Sequence, residues 1–233
     1  MIDKFKPTDK VLVLDFDHAC YDTDAFLMSE ITHRMLRKFN IPVEIWEKSY
    51  ESAVRLGYSL EQHRSELIKI LGYEPYSMEE LQAFEAKMNF DKYLYSDVLL
   101  FLKEARDKGY KIMLLSFGAT DWQNKKVRGV GLDKLVDVIK YTKEARGKMA
   151  ILKEYIDSSN KVIFVDNNGG DVDEVHKVLP HIETYFMNRV PADAMDAVDD
   201  DFLKMRYAES RKIAERHVAF KHKCCHSLTE VVL

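Results

Sequence analysis

The pattern of apolar and polar positions divides the chain into two kinds of territory. Val11–Leu14, Lys111–Leu115, Val136–Tyr141, Lys161–Val165 and Thr184–Phe186 are short runs rich in β-branched and aliphatic residues. Such runs, bounded by acidic or turn-forming residues, read as buried strands. From the second run onward they alternate with helical stretches at about Trp122–Val130, Lys148–Ile156 and Val172–Val178. Strand–helix alternation predicts a Rossmann-like, mostly parallel sheet with helices on both faces.

Between the first and second strands the period changes to helical. Asp22 or Thr23 can cap a helix whose apolar face is Phe26, Leu27, Ile31, Met35 and Leu36. A second helix carries Ile45, Trp46, Ala53, Val54 and Leu56 and stops at Gly57. Ser59 with Gln62, and Ser77 with Glu80, have capping-box spacing and open two more. A helix from about Ser96 to Gly109 leads back to the sheet. The predicted division is an α/β core of residues 1–20 and 96–233, interrupted by an all-helical cap of residues 21–95. The insertion starts just after Asp17, so it is expected to hang over whatever the first strand presents. Ala192–Lys223 contains a charged helical run with no assigned role, and Ser227 with Glu230 marks a last capping box.

Composition narrows the class. The chain has 233 residues, 46% hydrophobic and 32% charged, which suits a globular protein with a sizeable core. A net charge of −4 argues against a dominant nucleic-acid-binding face. No apolar run has the roughly 18 residues of a membrane span, and the N-terminus has no signal-peptide pattern. Three cysteines, Cys20, Cys224 and Cys225, make an odd count with an adjacent pair, so the expected setting is a reducing cytoplasm.

The chemistry-bearing residues stand where strands end, the place open parallel sheets put their ligands. Asp15 and Asp17 follow the first strand; one carboxylate can attack phosphorus and the other can handle protons. Ser116 follows the second strand and can donate to a phosphoryl oxygen. Lys148 opens a helix and can balance negative charge. Asp166, Asn167 and Asp171 follow the Val162–Val165 run, and hard oxygen ligands of this kind suit Mg²⁺. Each feature alone has an ordinary reading as a turn, a helix cap or a surface lysine. Their joint order is more specific.

In that order the chain resembles the haloacid dehalogenase-like hydrolase superfamily. Its four motifs match Val-Leu-Val-Leu-Asp15-Phe-Asp17, Ile-Met-Leu-Leu-Ser116, Lys148, and Val-Ile-Phe-Val-Asp166-Asn-Asn-Gly-Gly-Asp171, and Gln123–Lys126 resembles the stretch after the second motif. The resemblance implies a nucleophilic Asp15, an acid/base Asp17, phosphate binding by Ser116 and Lys148, and Mg²⁺ held by Asp15, Asp17, Asp166 and Asp171. Asn167 is the alternative ligand if the motif's second position is the metal-binding one. The implied activity is Mg²⁺-dependent hydrolysis of a small phosphorylated metabolite through an aspartyl phosphate. The alternatives are a phosphate-binding or interaction protein without turnover, or a phosphosugar mutase or phosphonate hydrolase of the same superfamily. Candidate substrate contacts are His18, Tyr21, Asp22 and Asp24. The expected partner is a small phosphorylated substrate, with no nucleic acid or membrane; the oligomeric state is open.

Overall fold

The computed structural model describes residues 4–55, 57–144, 146–190, 195, 198–215 and 218–233. Six parallel strands form one sheet in the order β3-β2-β1-β4-β5-β6. They are β1 (Lys10–Leu14), β2 (Tyr110–Phe117), β3 (Val138–Thr142), β4 (Lys161–Asp166), β5 (Glu183–Met187) and β6 (Lys223–Cys225). The register sets Leu14 beside Leu114 and Val165. Asp15, Ser116 and Asp166 therefore emerge together at one edge of the central three strands.

Between β1 and β2 come α1 (Thr23–Phe26), a π-turn (Leu27–Thr32), α2 (His33–Phe39), α3 (Val43–Val54), α4 (Leu60–Leu71), α5 (Met78–Glu85) and α6 (Val98–Asp107). The α/β part adds α7 (Thr120–Gly129), α8 (Lys148–Tyr155), α9 (Gly169–Val178) and α10 (Asp201–Glu215). The expected caps are mostly present. Asp22 accepts from the Ala25 N–H, and Ser77 and Glu80 form a complete capping box. Ser59 accepts from the Gln62 N–H, but the Gln62 side chain turns to Glu66, so that box is half made. Ser227 caps only a short 3₁₀ turn, Leu228–Glu230. Leu56 and Ala192 from the expected helical runs lie outside the described residues.

Alternation along the strands builds two cores. Leu12, Leu14, Ile112, Leu114, Ile163 and Val165 point one way, into a cluster that also holds Phe26, Trp46, Leu60, Leu67 and Phe84 of the helical insertion. Val11, Val13, Met113, Leu115, Val162 and Phe164 point the other way, onto α8 and α9 through Met149, Leu152, Val172 and Val175. No described helix is long and apolar enough to cross a membrane.

Candidate active site

Asp15, Ser116, Lys148, Asp166 and Asp171 are brought together, and each is at most 5% exposed. Lys148 is the hub. It opens α8, and its Nζ lies 2.6 Å from Asp166 Oδ2, 3.0 Å from Asp15 Oδ1 and 3.8 Å from Asp171 Oδ2. Burial works against its charge, yet the three carboxylates outweigh that and raise its pKa. The Lys148 ammonium is thus fixed as the positive centre of the site. For Asp166, burial and the charges of Asp15 and Asp171 raise the pKa despite Lys148; for Asp171, burial raises it in the same way. Ser116 Oγ has no hydrogen-bond partner among the described residues, although it is buried at the end of β2. A hydroxyl in that state is short of a partner that an incoming oxygen can supply.

Asp17 belongs to a different local network. Its Oδ1 accepts from Thr23 Oγ1 at 2.5 Å and from Lys126 Nζ at 2.5 Å; its Oδ2 accepts from Gln123 Nε2 at 2.6 Å. Burial pushes its pKa up, but Lys126, with Thr23 and Gln123, brings it below the ordinary value. Asp17 is therefore held as a carboxylate. Gln123 also donates to the Phe117 carbonyl at 2.7 Å. A side chain at Gly118, whose φ is +140°, would strike Gln123 Nε2 at 2.6 Å, so glycine is required there. The motif pattern left the roles of Thr23, Gln123 and Lys126 unassigned. The available signal was Gln123 and Lys126 three apart on one face of a mostly polar helix, where both prove to be buried.

The fourth motif divides between Lys148 and Asp15. Both Asp166 oxygens are engaged, Oδ2 by Lys148 and Oδ1 by the Asn168 N–H at 2.8 Å. Asp171 faces Lys148. It is Asn167 that reaches Asp15: one end of its amide lies 2.9 Å from Asp15 Oδ2 and 3.1 Å from the Asp17 carbonyl oxygen. With the NH₂ group there, Asn167 donates to both. With its Oδ1 there, three oxygens converge at separations close to the ~2.9 Å edge of an octahedron whose metal–oxygen bonds are ~2.0–2.1 Å.

The charge count points the same way. Four acidic groups, Asp15, Asp17, Asp166 and Asp171, face two ammonium groups, Lys126 and Lys148, so acidic groups outnumber basic ones where a cation would sit. Among the described residues, no group of three or more His, Cys, Asp or Glu is placed to hold a metal. A cation beside Asp15 would draw on the Asp17 carbonyl and the Asn167 amide oxygen, with Asp15 as the charged ligand. The donor set fits Mg²⁺ through Asp15 Oδ2, the Asp17 carbonyl and Asn167 Oδ1. Asp166 and Asp171, the other expected ligands, lie against Lys148.

Of the four expected substrate contacts, His18 and Asp24 line a small cavity that Asn167 also borders. Tyr21 is buried against Phe16, ring centroids 5.0 Å apart. Asp22 is taken up by capping α1 and by the Tyr207 hydroxyl at 2.7 Å.

The whole arrangement is the haloacid dehalogenase-like hydrolase fold. Over 96% of this chain and 97% of the other, it is similar to a haloacid dehalogenase-like hydrolase from Burkholderia xenovorans, with TM-score 0.71 and 17% identity. The L-2-haloacid dehalogenase of Xanthobacter autotrophicus matches over 96% of both chains with TM-score 0.64 and 19% identity. A HAD-hydrolase from Bacillus subtilis bound to magnesium matches over 96% of both chains with TM-score 0.57 and 12% identity. No protein-family model and no curated protein matches the sequence.

Proposed function

We propose that this protein is a Mg²⁺-dependent phosphatase acting on a small phosphorylated metabolite, with residues 21–95 as its cap. The observation that carries the reading is the buried cluster of Asp15, Lys148 and an unpartnered Ser116 at one sheet edge, with a second carboxylate, Asp17, beside it. Asp15 attacks phosphorus and the bond to the leaving oxygen breaks, giving an aspartyl phosphate. Lys148 and Ser116 bind the non-bridging oxygens. Asp17, anionic in its network, is poised as the base that takes a proton from water in the second step. That water attacks phosphorus as the bond to Asp15 breaks, and inorganic phosphate leaves; Asp17 then gives its proton to the departing phosphate or to solvent, restoring both carboxylates. In the first step, a substrate bound as its monoanion supplies the proton the leaving oxygen needs. A Mg²⁺ ion held by Asp15, the Asp17 carbonyl and Asn167 would offset repulsion between carboxylate and phosphoryl group. The free, unbridged cysteines are consistent with action in the cytoplasm.

A second reading has one specific support. If Asn167 keeps its NH₂ group on Asp15 and Asp17, the protein binds phosphate without turnover. Phosphate release from phenyl phosphate and a panel of phosphometabolites separates the two. Mg²⁺-dependent release that falls at least 10³-fold in Asp15→Asn is expected (roughly the loss on removing a nucleophile). A folded protein that binds inorganic phosphate and releases none from any ester would overturn the phosphatase reading.

A further inference from the structure

The C-terminal helix α10 lies against the loop that follows the nucleophile's strand. Tyr207 donates to Asp22 at 2.7 Å, and Ser210 Oγ donates to Asp24 Oδ1 at 3.1 Å. Arg206 lies 2.6 Å from Glu47 of α3 and stacks 4.1 Å over Tyr50. At its far end, α10 meets the fourth motif: a Cβ on Gly169 would strike the Ala214 carbonyl at 2.6 Å and the Val218 side chain at 2.4 Å. The helix therefore spans from the insertion to the loop carrying Asn167.

Beneath it is a cavity of about 40 Å³, bordered by His18, Asp24, Asn167, Ser210 and Arg211 among others. Asn167 places this space beside the nucleophile, because the same amide approaches Asp15 Oδ2 to 2.9 Å. Asp24 is 4% exposed, and its Oδ2 accepts no hydrogen bond among the described residues. His18 Nδ1 is 3.6 Å away, an ion-pair distance without a hydrogen bond. A buried carboxylate oxygen in that state needs a donor.

We propose that α10 closes a recognition chamber in which Asp24, Ser210 and His18 bind the hydroxyl groups of a two- or three-carbon polyol phosphate. This specificity rests on the phosphatase reading above. Hydroxyl groups fit because they both donate and accept: Asp24 Oδ2 accepts their hydrogen bond, while Ser210 and His18 offer polar atoms of either sense. At ~10–15 Å³ for each water-sized group, the inner space takes about three such groups, which suits a two- or three-carbon chain.

The test compares release of phosphate from glycerol 3-phosphate, propyl phosphate, phosphoethanolamine, glucose 6-phosphate and phenyl phosphate. A site built around a hydroxyl rejects the analogue lacking it, because the buried acceptor is left unpaired. The expected result is a kcat/KM for glycerol 3-phosphate at least about tenfold above propyl phosphate. That ratio moves toward one in Asp24→Asn and falls in Ser210→Ala, which changes α10 alone if Asp24→Asn folds poorly. Equal rates on glycerol 3-phosphate and propyl phosphate, with phenyl phosphate hydrolysed, overturn the chamber and leave the phosphatase standing. So does a preference for phosphoethanolamine or glucose 6-phosphate, or a ratio unchanged in both variants. Silence on every ester takes down both readings.

Discussion

Lys126 and Asn167 decide how the two front carboxylates behave. Lys126 is 3% exposed, and its ammonium is within reach of Asp17 and the Phe16 and Tyr21 rings. Removing Lys126 takes one charge-assisted hydrogen bond from Asp17, which is 20% exposed and keeps Thr23 and Gln123, at a cost of roughly 1.5–3 kcal/mol. Lys126→Met is therefore expected to lower the unfolding free energy by about that amount in urea titration, with part recovered in the Lys126→Met, Asp17→Asn double variant. An unchanged midpoint would show that Asp17 does not need its partner. Asn167 contributes an oxygen without charge, and cation affinity follows the number of charged ligands. Asn167→Asp is expected to tighten Mg²⁺ binding by roughly tenfold, about 1.4 kcal/mol, in titration calorimetry. Asp166→Asn, which alters the Lys148 pocket, is expected to change that affinity less. The reverse order would make Asp166 the ligand. The sequence made Asp15, Ser116, Lys148 and the acidic loop readable because all are tied to strand or helix ends. It left Asp166 and Asn167 unresolved, because one step of register exchanges the side chain that meets Lys148 for the one that meets Asp15, and only side-chain direction tells them apart.

Elements were readable to the extent that their signals are local. A buried parallel strand is a continuous apolar run, so β1, β2, β4 and β5 announce themselves. β6 did not: three residues, Lys223–Cys225, two of them exposed, carry no recognisable pattern. The capping boxes were local as well. Ser77→Ala, which removes the cap of α5, is expected to cost about 1 kcal/mol by denaturant melting, whereas Ser65→Ala, exposed on α4, is expected to change little. α10 was readable as a helix but not as part of the site. Its partners Asp22 and Asp24 lie 185 and 186 positions away along the chain, and no periodicity spans that distance.

At the scale of the molecule, one apolar cluster joins the insertion to the sheet, and α10 fastens the same two parts by polar contacts. Within the insertion, His63 is fully buried, its ring nitrogens 2.8 Å from Ser49 Oγ and 3.2 Å from the Tyr58 hydroxyl. Burial lowers its pKa from 6.5 to about 3. The unfolded chain therefore takes up a proton below pH 6.5 that the folded chain refuses down to about pH 3, so stability is lost as pH falls through that window. Urea midpoints measured across it are expected to drop for the wild-type protein and to drop less for His63→Gln. Equal slopes would mean that other groups dominate the acid response.

The contact at Gly169 has a wider meaning. The seam between the fourth-motif loop and the last helix has clearance for a hydrogen atom and nothing more. Asn167 sits two residues to one side of that seam, and Ser210 one helical turn before Ala214 on the other. The part of the protein proposed to hold the ion and the part proposed to sort substrates thus share one tolerance, and neither dimension can drift without the other.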